Sequence, residues 1–148
     1  IFARDILNEK KGPPPEINLF NEKNNGETIL KLIRNDLVKS VHDISLGGII
    51  TAISKMAIIG NKGFKLNKPQ DLINKFEYYF GEDQGRYIVE IEPNNLPKVK
   101  NILKDNSIHY DEIGIVIPKE IIIDKEAILH IDDLVRSNKS WLKSYMEK

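Results

Sequence analysis

The sequence has 148 residues, of which 41% are hydrophobic and 30% charged, and its 22 basic and 22 acidic residues give a formal net charge of zero. This composition is typical of a folded globular chain, and the charge balance argues against a protein that mainly binds nucleic acid or an anionic membrane. The absence of cysteine excludes a disulfide scaffold, a thiolate zinc site and a cysteine nucleophile, and it fits a reducing cytoplasm.

A proline-rich break separates the first residues from the rest. Three consecutive prolines, Pro13–Pro15, cannot lie inside a helix. We therefore expect residues 1–15 to be a linker from an upstream domain and residues 16–148 to form one domain. The first residue is Ile, and the sequence shows neither a signal peptide nor an apolar run of about 18 residues, so we expect a cytoplasmic fragment of a longer chain.

Hydrophobic periodicity predicts helices and strands in mixed order. The predicted helices are Glu27–Leu37, Ile49–Ile59, Asn67–Phe76, Pro93–Asp105 and Asp132–Met146. The predicted strands are Val38–Ile44, Gly63–Leu66, Arg86–Glu92, Ile113–Ile117 and Ile121–Ile123. Gly60 is expected to end the second helix in a left-handed conformation. We predict an α/β (α+β) fold in which helices pack on a mixed β-sheet.

The first motif that could carry chemistry is HDISLGG, from His42 to Gly48, between a predicted strand and a predicted helix. Free backbone N–H groups and the helix dipole at such a junction favour an anion, and Gly47 and Gly48 would let a phosphate approach the backbone. Asp43 could supply an oxygen ligand to Mg²⁺, and Ser45 could donate its hydroxyl to a phosphate. The alternative, favoured by spacing alone, is an ordinary helix cap formed by Ser45.

The second motif is FGEDQGR, from Phe80 to Arg86, a polar loop between two glycines. Glu82, Gln84 and Arg86 could hold a polar ligand or orient a neighbouring domain. The alternative is a solvated turn in which Arg86 pairs with Glu82 or Asp83, and without further context this alternative is favoured.

The remaining candidates are weaker. His42, His109 and His130 are too far apart in sequence to suggest a metal site, and His109 and His130 are expected at the surface or at a strand edge. Trp141 and Tyr145 lie one turn apart on the last predicted helix and are interpreted as packing residues.

Six segments in order resemble the large synthetase subunit of phosphoribosylformylglycinamidine synthase, in its C-terminal domain of the aminoimidazole ribonucleotide synthetase-like superfamily. The segments are Gly12–Leu19 with Glu22, Asp36–Gly48, Ser54–Gly60, Phe80–Tyr87, Ile113–Val116 and Trp141–Met146. The sequence departs from the family pattern at Asn18 and Leu46, where Asp is usual, and at Lys143, where Pro is usual. The resemblance implies a fold similar to the C-terminal domain of aminoimidazole ribonucleotide synthetase.

The resemblance also implies a function. Family members use ATP and glutamine-derived ammonia to convert formylglycinamide ribonucleotide to formylglycinamidine ribonucleotide in purine biosynthesis, with the amide oxygen activated as an iminophosphate. In related superfamily members the Asp-x-Ser of this motif contacts Mg²⁺ and nucleotide phosphate, which carries over to Asp43 and Ser45. With Leu46 the second carboxylate of the motif is missing. The catalytic histidine of the family lies in upstream domains, so this fragment is expected to hold no catalytic residue and to be inactive alone.

The implied partners are the upstream domains of the same chain, the glutaminase subunit, the small accessory subunit and the ribonucleotide substrate. Two alternatives stay open. One is a domain of a sister enzyme, such as aminoimidazole ribonucleotide synthetase, thiamine-monophosphate kinase or selenophosphate synthetase. The other is a non-catalytic module whose surfaces serve domain packing and glutaminase docking.

Overall fold

The structure, a computed structural model, describes residues 1–67, 74–124 and 127–147. The chain divides into two compact units, one formed by Ile1–Ile53 with Phe76–Asp111 and the other by Ser54–Lys75 with Glu112–Lys148. Each unit therefore combines two separate stretches of sequence. The single domain expected over residues 16–148 stays a prediction.

The elements of the described residues alternate between helices and strands. In chain order they are α1 (Phe2–Asp5), α2 (Leu19–Arg34), β1 (Ser40–Asp43), α3 (Gly48–Gly60), β2 (Gly63–Leu66), α4 (Lys75–Phe80), β3 (Tyr87–Glu90), α5 (Leu96–Asp105), β4 (Gly114–Ile117), β5 (Glu120–Ile123), β6 (Ala127–His130) and α6 (Ile131–Met146). The predicted mixture of helices and strands is confirmed.

The core of the first unit lies between α2 and α5. Leu32 and Val99 are fully buried, and Leu37 and Leu103 complete the cluster. The spacing of Val99 and Leu103 places both on one helical face, as the periodicity predicts. The same unit contains the antiparallel pair β1–β3, and the two motifs lie at one end of this pair.

The second unit contains the four-stranded sheet, in the order β4-β2-β5-β6. Strand β2 pairs antiparallel with β4 and parallel with β5, and β6 pairs antiparallel with β5. The predicted mixed sheet is therefore confirmed. Phe64, Leu66 and Ile121 are buried on one face of this sheet, and Ile131 at the start of α6 is fully buried.

Helix α2 begins at Leu19, so the predicted start at Glu27 is wrong. The Asn18 side chain accepts a hydrogen bond of 3.0 Å from the backbone N–H of Asn21, which caps the helix. The first turns of α2 carry mostly polar residues, which give no apolar periodicity, so the cap was the only local indication of the true start.

Three further predictions differ from the structure. The strand predicted over Val38–Ile44, which its apolar residues Val38, Val41 and Ile44 indicate to be buried, is the shorter β1, and its side chains are half-buried or exposed. The left-handed residue after α3 is Asn61, with φ of 50°, and not Gly60. Strand β6 was not predicted, because Ala127–Leu129 is an apolar run without polar alternation, and β6 is held by its pairing with β5.

Trp141 and Tyr145 stack on each other in α6, but their side chains are exposed, so the prediction that they are packing residues is wrong within this chain. The helix predicted over Asn67–Phe76 falls mostly on residues 68–73, which lie outside the described residues. Within the described parts of the chain, every helix is too short or too polar to cross a bilayer.

Candidate functional site

The β1–β3 pair brings the two motifs together in the first unit. Asp43 at the end of β1 is paired with Tyr87 at the start of β3. The next residue, Ile44, donates its backbone N–H to the carbonyl of Arg86 at 2.8 Å. Because the strands are antiparallel, the segment after β1 and the loop before β3 leave the sheet at the same end.

A tight turn connects β1 to α3. The carbonyl of Ser45 accepts the backbone N–H of Gly48 at 3.0 Å, and the Thr51 hydroxyl donates to the carbonyl of Gly47 at 3.1 Å. Gly47 and Gly48 have φ of 84° and 69°, a left-handed conformation that glycine adopts without strain. A Cβ on Gly48 would lie 2.6 Å from the backbone oxygen of Tyr79, so this position also lacks room for a side chain.

Helix α3 begins at Gly48, which places Ser45 outside the helix. Ser45 therefore does not occupy the cap position that the alternative interpretation assigned to it. The glycines form the tight turn, and the exposed Ser45 side chain faces the pocket described below.

Glu82 binds the turn from the second motif. Its Oε1 accepts the backbone N–H of Gly47 at 2.8 Å. Partial burial raises the pKa of Glu82 and the hydrogen bond from the N–H of Gly47 lowers it, and the resulting pKa lies below its usual value. The N–H of Gly47, which the sequence analysis considered for phosphate binding, is thus bonded to the Glu82 carboxylate.

Arg86 is held within its own loop. Its Nη2 donates to the carbonyl of Gly81 at 2.8 Å and lies 3.0 Å from Oδ2 of Asp83. Of the two pairings considered from the sequence, the structure contains the one with Asp83. The guanidinium keeps the loop closed, and Arg86 also lines the pocket.

Three segments of the family pattern meet around one open pocket of about 510 Å³ in the first unit. The pocket is lined by Glu22, Asp43, Ile44, Ser45, Leu46, Glu82, Gln84, Gly85, Arg86 and Tyr87. Five of the predicted candidates line it, namely Asp43, Ser45, Glu82, Gln84 and Arg86. Gly47 and Gly48 lie directly behind the lining, in the turn.

Sequence reasoning missed Glu22 and Tyr87 as lining residues. Glu22 comes from the first turn of α2, which contacts the second motif: Asn25 donates its side-chain N–H to the carbonyl of Gly85 at 2.9 Å. A Cβ on Gly85 would lie 3.2 Å from the Cα of Glu22, so a glycine here allows the close approach. The family pattern contained Glu22, but only the fold shows that it reaches the same pocket.

In the part of the chain that the structure describes, the lining is acidic, with Glu22, Asp43 and Glu82 against one cation, Arg86. Among the described residues no group of three His, Cys, Asp or Glu side chains is placed to hold a metal ion. Asp43 and Ser45 together offer one carboxylate and one hydroxyl. Two protein oxygens suffice for Mg²⁺ only when phosphate oxygens and water supply its remaining ligands.

The histidines lie outside the lining. Nδ1 of His42 lies 2.6 Å from the carbonyl oxygen of Asp43 and 3.3 Å from its Oδ1, so His42 contacts the aspartate and not the pocket. His109 is exposed. His130 ends the edge strand β6 and accepts the backbone N–H of Asp132 at 3.3 Å, which caps α6. The surface and strand-edge predictions for His109 and His130 are confirmed.

Comparison with known proteins identifies the family. Residues 1–125 match the family model described as AIR synthase related protein, C-terminal domain. The subunit PurL of phosphoribosylformylglycinamidine synthase from Pelagibacter ubique is 63% identical over 147 residues, which cover 99% of this chain and 20% of that protein. The chain thus spans about a fifth of the length of this curated relative.

Solved structures of PurL from Thermotoga maritima share the fold at 20–22% identity. The complex with FGAR has a TM-score of 0.73 and covers 90% of this chain and 24% of that one. The complex with ATP has a TM-score of 0.65, with coverages of 76% and 21%. The PurLQS structure has a TM-score of 0.68, with coverages of 90% and 24%.

Proposed function

Because the chain belongs to the family of AIR synthase related C-terminal domains, we propose that it is the C-terminal domain of a phosphoribosylformylglycinamidine synthase. This enzyme is an ATP-dependent carbon–nitrogen ligase of purine biosynthesis. In the proposed reaction ATP phosphorylates the amide oxygen of formylglycinamide ribonucleotide and leaves as ADP. Ammonia from glutamine then replaces that oxygen, which departs as phosphate, and formylglycinamidine ribonucleotide is formed.

The observation that carries the proposal is the convergence of three family segments on one pocket. Glu22, the Asp43–Gly48 segment and the Phe80–Tyr87 loop are far apart in sequence, yet all three reach the same opening within one unit. Loop and turn residues placed by a sheet and a helix are a common way to build a ligand site. The relative in Thermotoga maritima binds FGAR and ATP, so the proposed ligands are a ribonucleotide and a nucleotide.

The acidic lining limits which residues can contact an anionic ligand. Three carboxylates repel a bare polyphosphate at distances of a few Å. We therefore assign the phosphate contact to Ser45 and Arg86, and the contact with Mg²⁺ to Asp43. When bound, Mg²⁺ would neutralise phosphate charge and bridge the nucleotide to the protein. Glu82 holds the turn through its hydrogen bond with the N–H of Gly47, so we assign no phosphate contact to that N–H.

The catalytic groups and the remaining ligands would come from other domains of the longer polypeptide. The proposed partners are a glutaminase subunit and a small accessory subunit, in line with the PurLQS structure from Thermotoga maritima. The proposed location is the cytoplasm.

The test uses the full-length enzyme with substitutions at the pocket. Asp43→Asn is expected to lower kcat/KM for ATP about a hundredfold, and Ser45→Ala about tenfold, because each removes a contact to charge that develops during phosphoryl transfer. Asp133→Asn is the matched control, since its carboxylate is as exposed as that of Asp43, at 63%, but lies on α6 outside the lining.

Formation of formylglycinamidine ribonucleotide is measured with glutamine and with ammonia as nitrogen source. Wild-type kinetics for both pocket variants would contradict a ligand-binding role of this pocket. Turnover of the substrates of the sister enzymes, without turnover of formylglycinamide ribonucleotide, would contradict the proposed reaction itself.

A further inference from the structure

Helix α6 carries one apolar face that continues beyond the part packed in its own unit. Seven apolar residues fall within one side of the helix: Ile131, Leu134, Val135, Trp141, Leu142, Tyr145 and Met146. The first three lie at the start of the helix and are buried or half-buried. The last four lie at its end and are exposed.

We call Trp141, Leu142, Tyr145 and Met146 the α6 stripe. Trp141 and Tyr145 stack with ring centroids 5.3 Å apart and an interplanar angle of 14°, and their exposures are 64% and 63%. Leu142 and Met146 are 59% and 75% exposed. Since a Trp or Tyr side chain presents roughly 150–250 Å², the stripe amounts to a few hundred Å² of apolar surface, the size at which exposed patches mark interaction sites.

The matches to known proteins differ in whether they include α6. The match to the family model covers residues 1–125, so α6 lies beyond the matched part of the chain. The match to the PurL subunit covers 147 of the 148 residues and therefore includes α6. The helix thus lies inside the match to the synthase subunit and outside the match to the domain family.

The composition of the stripe indicates the kind of contact it makes. Tyr, Trp and Met are enriched in the cores of protein interfaces, and permanent interfaces are more apolar than transient ones. The chain is only 20% of the length of its PurL relative, so four-fifths of such a polypeptide lies outside it. A neighbouring domain on the same polypeptide is also present at a high effective concentration, which a separate protein is not.

We infer that the α6 stripe docks onto another domain of the same polypeptide. The inference rests on the proposed function in one respect, that this chain is a domain of a synthase-type polypeptide. The stripe extends the face that Ile131 already buries, so the docked domain would continue the packing of α6 along its last two turns.

The experiment places the photo-crosslinking residue benzoylphenylalanine at position 145 of the full-length polypeptide, and in a matched control at position 140. Ser140 lies on the opposite side of the same helix and is also exposed. The expected result is a cross-link from position 145 to a peptide of the same polypeptide outside residues 1–148, with at least about a tenfold lower yield from position 140. The cross-linked peptides are identified by mass spectrometry, and an electrophoretic gel distinguishes a cross-link within one chain from one between two copies.

Cross-links to a second copy, to a separate subunit or to no protein at all would overturn the inference. A second measurement covers the case in which the modified residue disturbs the helix. Hydrogen exchange of the backbone amides of residues 141–147 in the unmodified full-length protein should be slow, and Trp141→Ser combined with Tyr145→Ser should accelerate it about tenfold. Fast exchange in the unmodified protein would also overturn the inference. Neither readout depends on turnover, so a failed synthase assay with intact cross-linking contradicts only the proposed function.

Discussion

The Ser45–Gly48 turn and the α6 stripe both belong to segments that resemble the same family. The polar groups of the turn are hydrogen-bonded within the chain, whereas the apolar side chains of the stripe are exposed. In the turn, Gly47 and Gly48 donate their N–H groups to Glu82 and Ser45. In the stripe, the large apolar side chains have water on one side. The turn is explained by contacts within the first unit, whereas the α6 stripe lies in the second unit and is the surface for which we propose a partner domain.

The largest effect is expected from breaking the turn with Gly48→Val. The substitution puts a β-branched side chain at φ of 69° and a Cβ 2.6 Å from the backbone oxygen of Tyr79. We expect a loss of about 3 kcal/mol in the free energy of unfolding, from backbone strain and overpacking together. Urea unfolding followed by circular dichroism measures this change.

Gly60→Ala is the control for that substitution. Gly60 lies at the end of the same helix, its φ is not positive, and a Cβ there would have its nearest neighbour at 4.0 Å. We expect a change within about 0.5 kcal/mol. A Gly48→Val variant as stable as Gly60→Ala would show that the turn does not have the described conformation.

An intermediate effect is expected from Glu82→Ala, which removes the acceptor for the Gly47 N–H. Because the Glu82 side chain is 27% exposed, we expect a loss of about 1 kcal/mol, below the usual value for a charged hydrogen bond. Glu82→Gln keeps an acceptor and should lose less than Glu82→Ala. Asp83→Asn removes a neighbouring carboxylate that does not touch the turn, and it should cost under about 0.5 kcal/mol.

The same contact predicts a pH dependence. The pKa of Glu82 is lower in the folded state than in the unfolded chain, so its contribution is complete above the usual carboxyl pKa of about 4.3. The contribution is lost as the pH falls through the lower folded-state pKa. The stability difference between the unsubstituted chain and Glu82→Ala should therefore shrink in acid, and a difference that grows below pH 4 would contradict the assigned contact.

The smallest effect is expected from Trp141→Ala in this chain. The Trp141 ring contacts Tyr145 but is mostly exposed, so its removal should change the free energy of unfolding by less than about 0.5 kcal/mol. A loss above about 1 kcal/mol would place Trp141 in the packing of the second unit and would remove the contrast with the turn. Thermal and urea unfolding of this chain measure the difference.

The sequence predicted much of the fold because many of its elements have local causes. The spacing of Val99 and Leu103 indicated the buried face of α5, and the apolar run before Gly60 indicated α3. The start of α2 was missed because it depends on one side-chain cap at Asn18 and not on apolar periodicity. Strand β6 was missed because its pairing with β5 stabilises it and its own four residues show no pattern.

The candidate site was predictable in its parts but not as an assembly. The two motifs could be recognised from residue types and order, and five candidates line the pocket. The position of Glu22 in the pocket lining could not be predicted from periodicity, because it depends on how α2 packs against Gly85. The use of the Gly47 N–H by Glu82 joins residues of two different loops, which local patterns do not relate.

By itself the sequence determined the mixed α/β character, most helices and strands, the two motif segments and the family they resemble. These follow from periodicity, glycine and proline positions and ordered motifs, which all act over short stretches of chain. Only the tertiary structure decided which backbone donors are already bonded and which acidic side chains share the pocket. It also decided which part of the apolar face of α6 stays exposed. These depend on contacts between distant residues, whose energies are settled by packing and pairing and not by local preference.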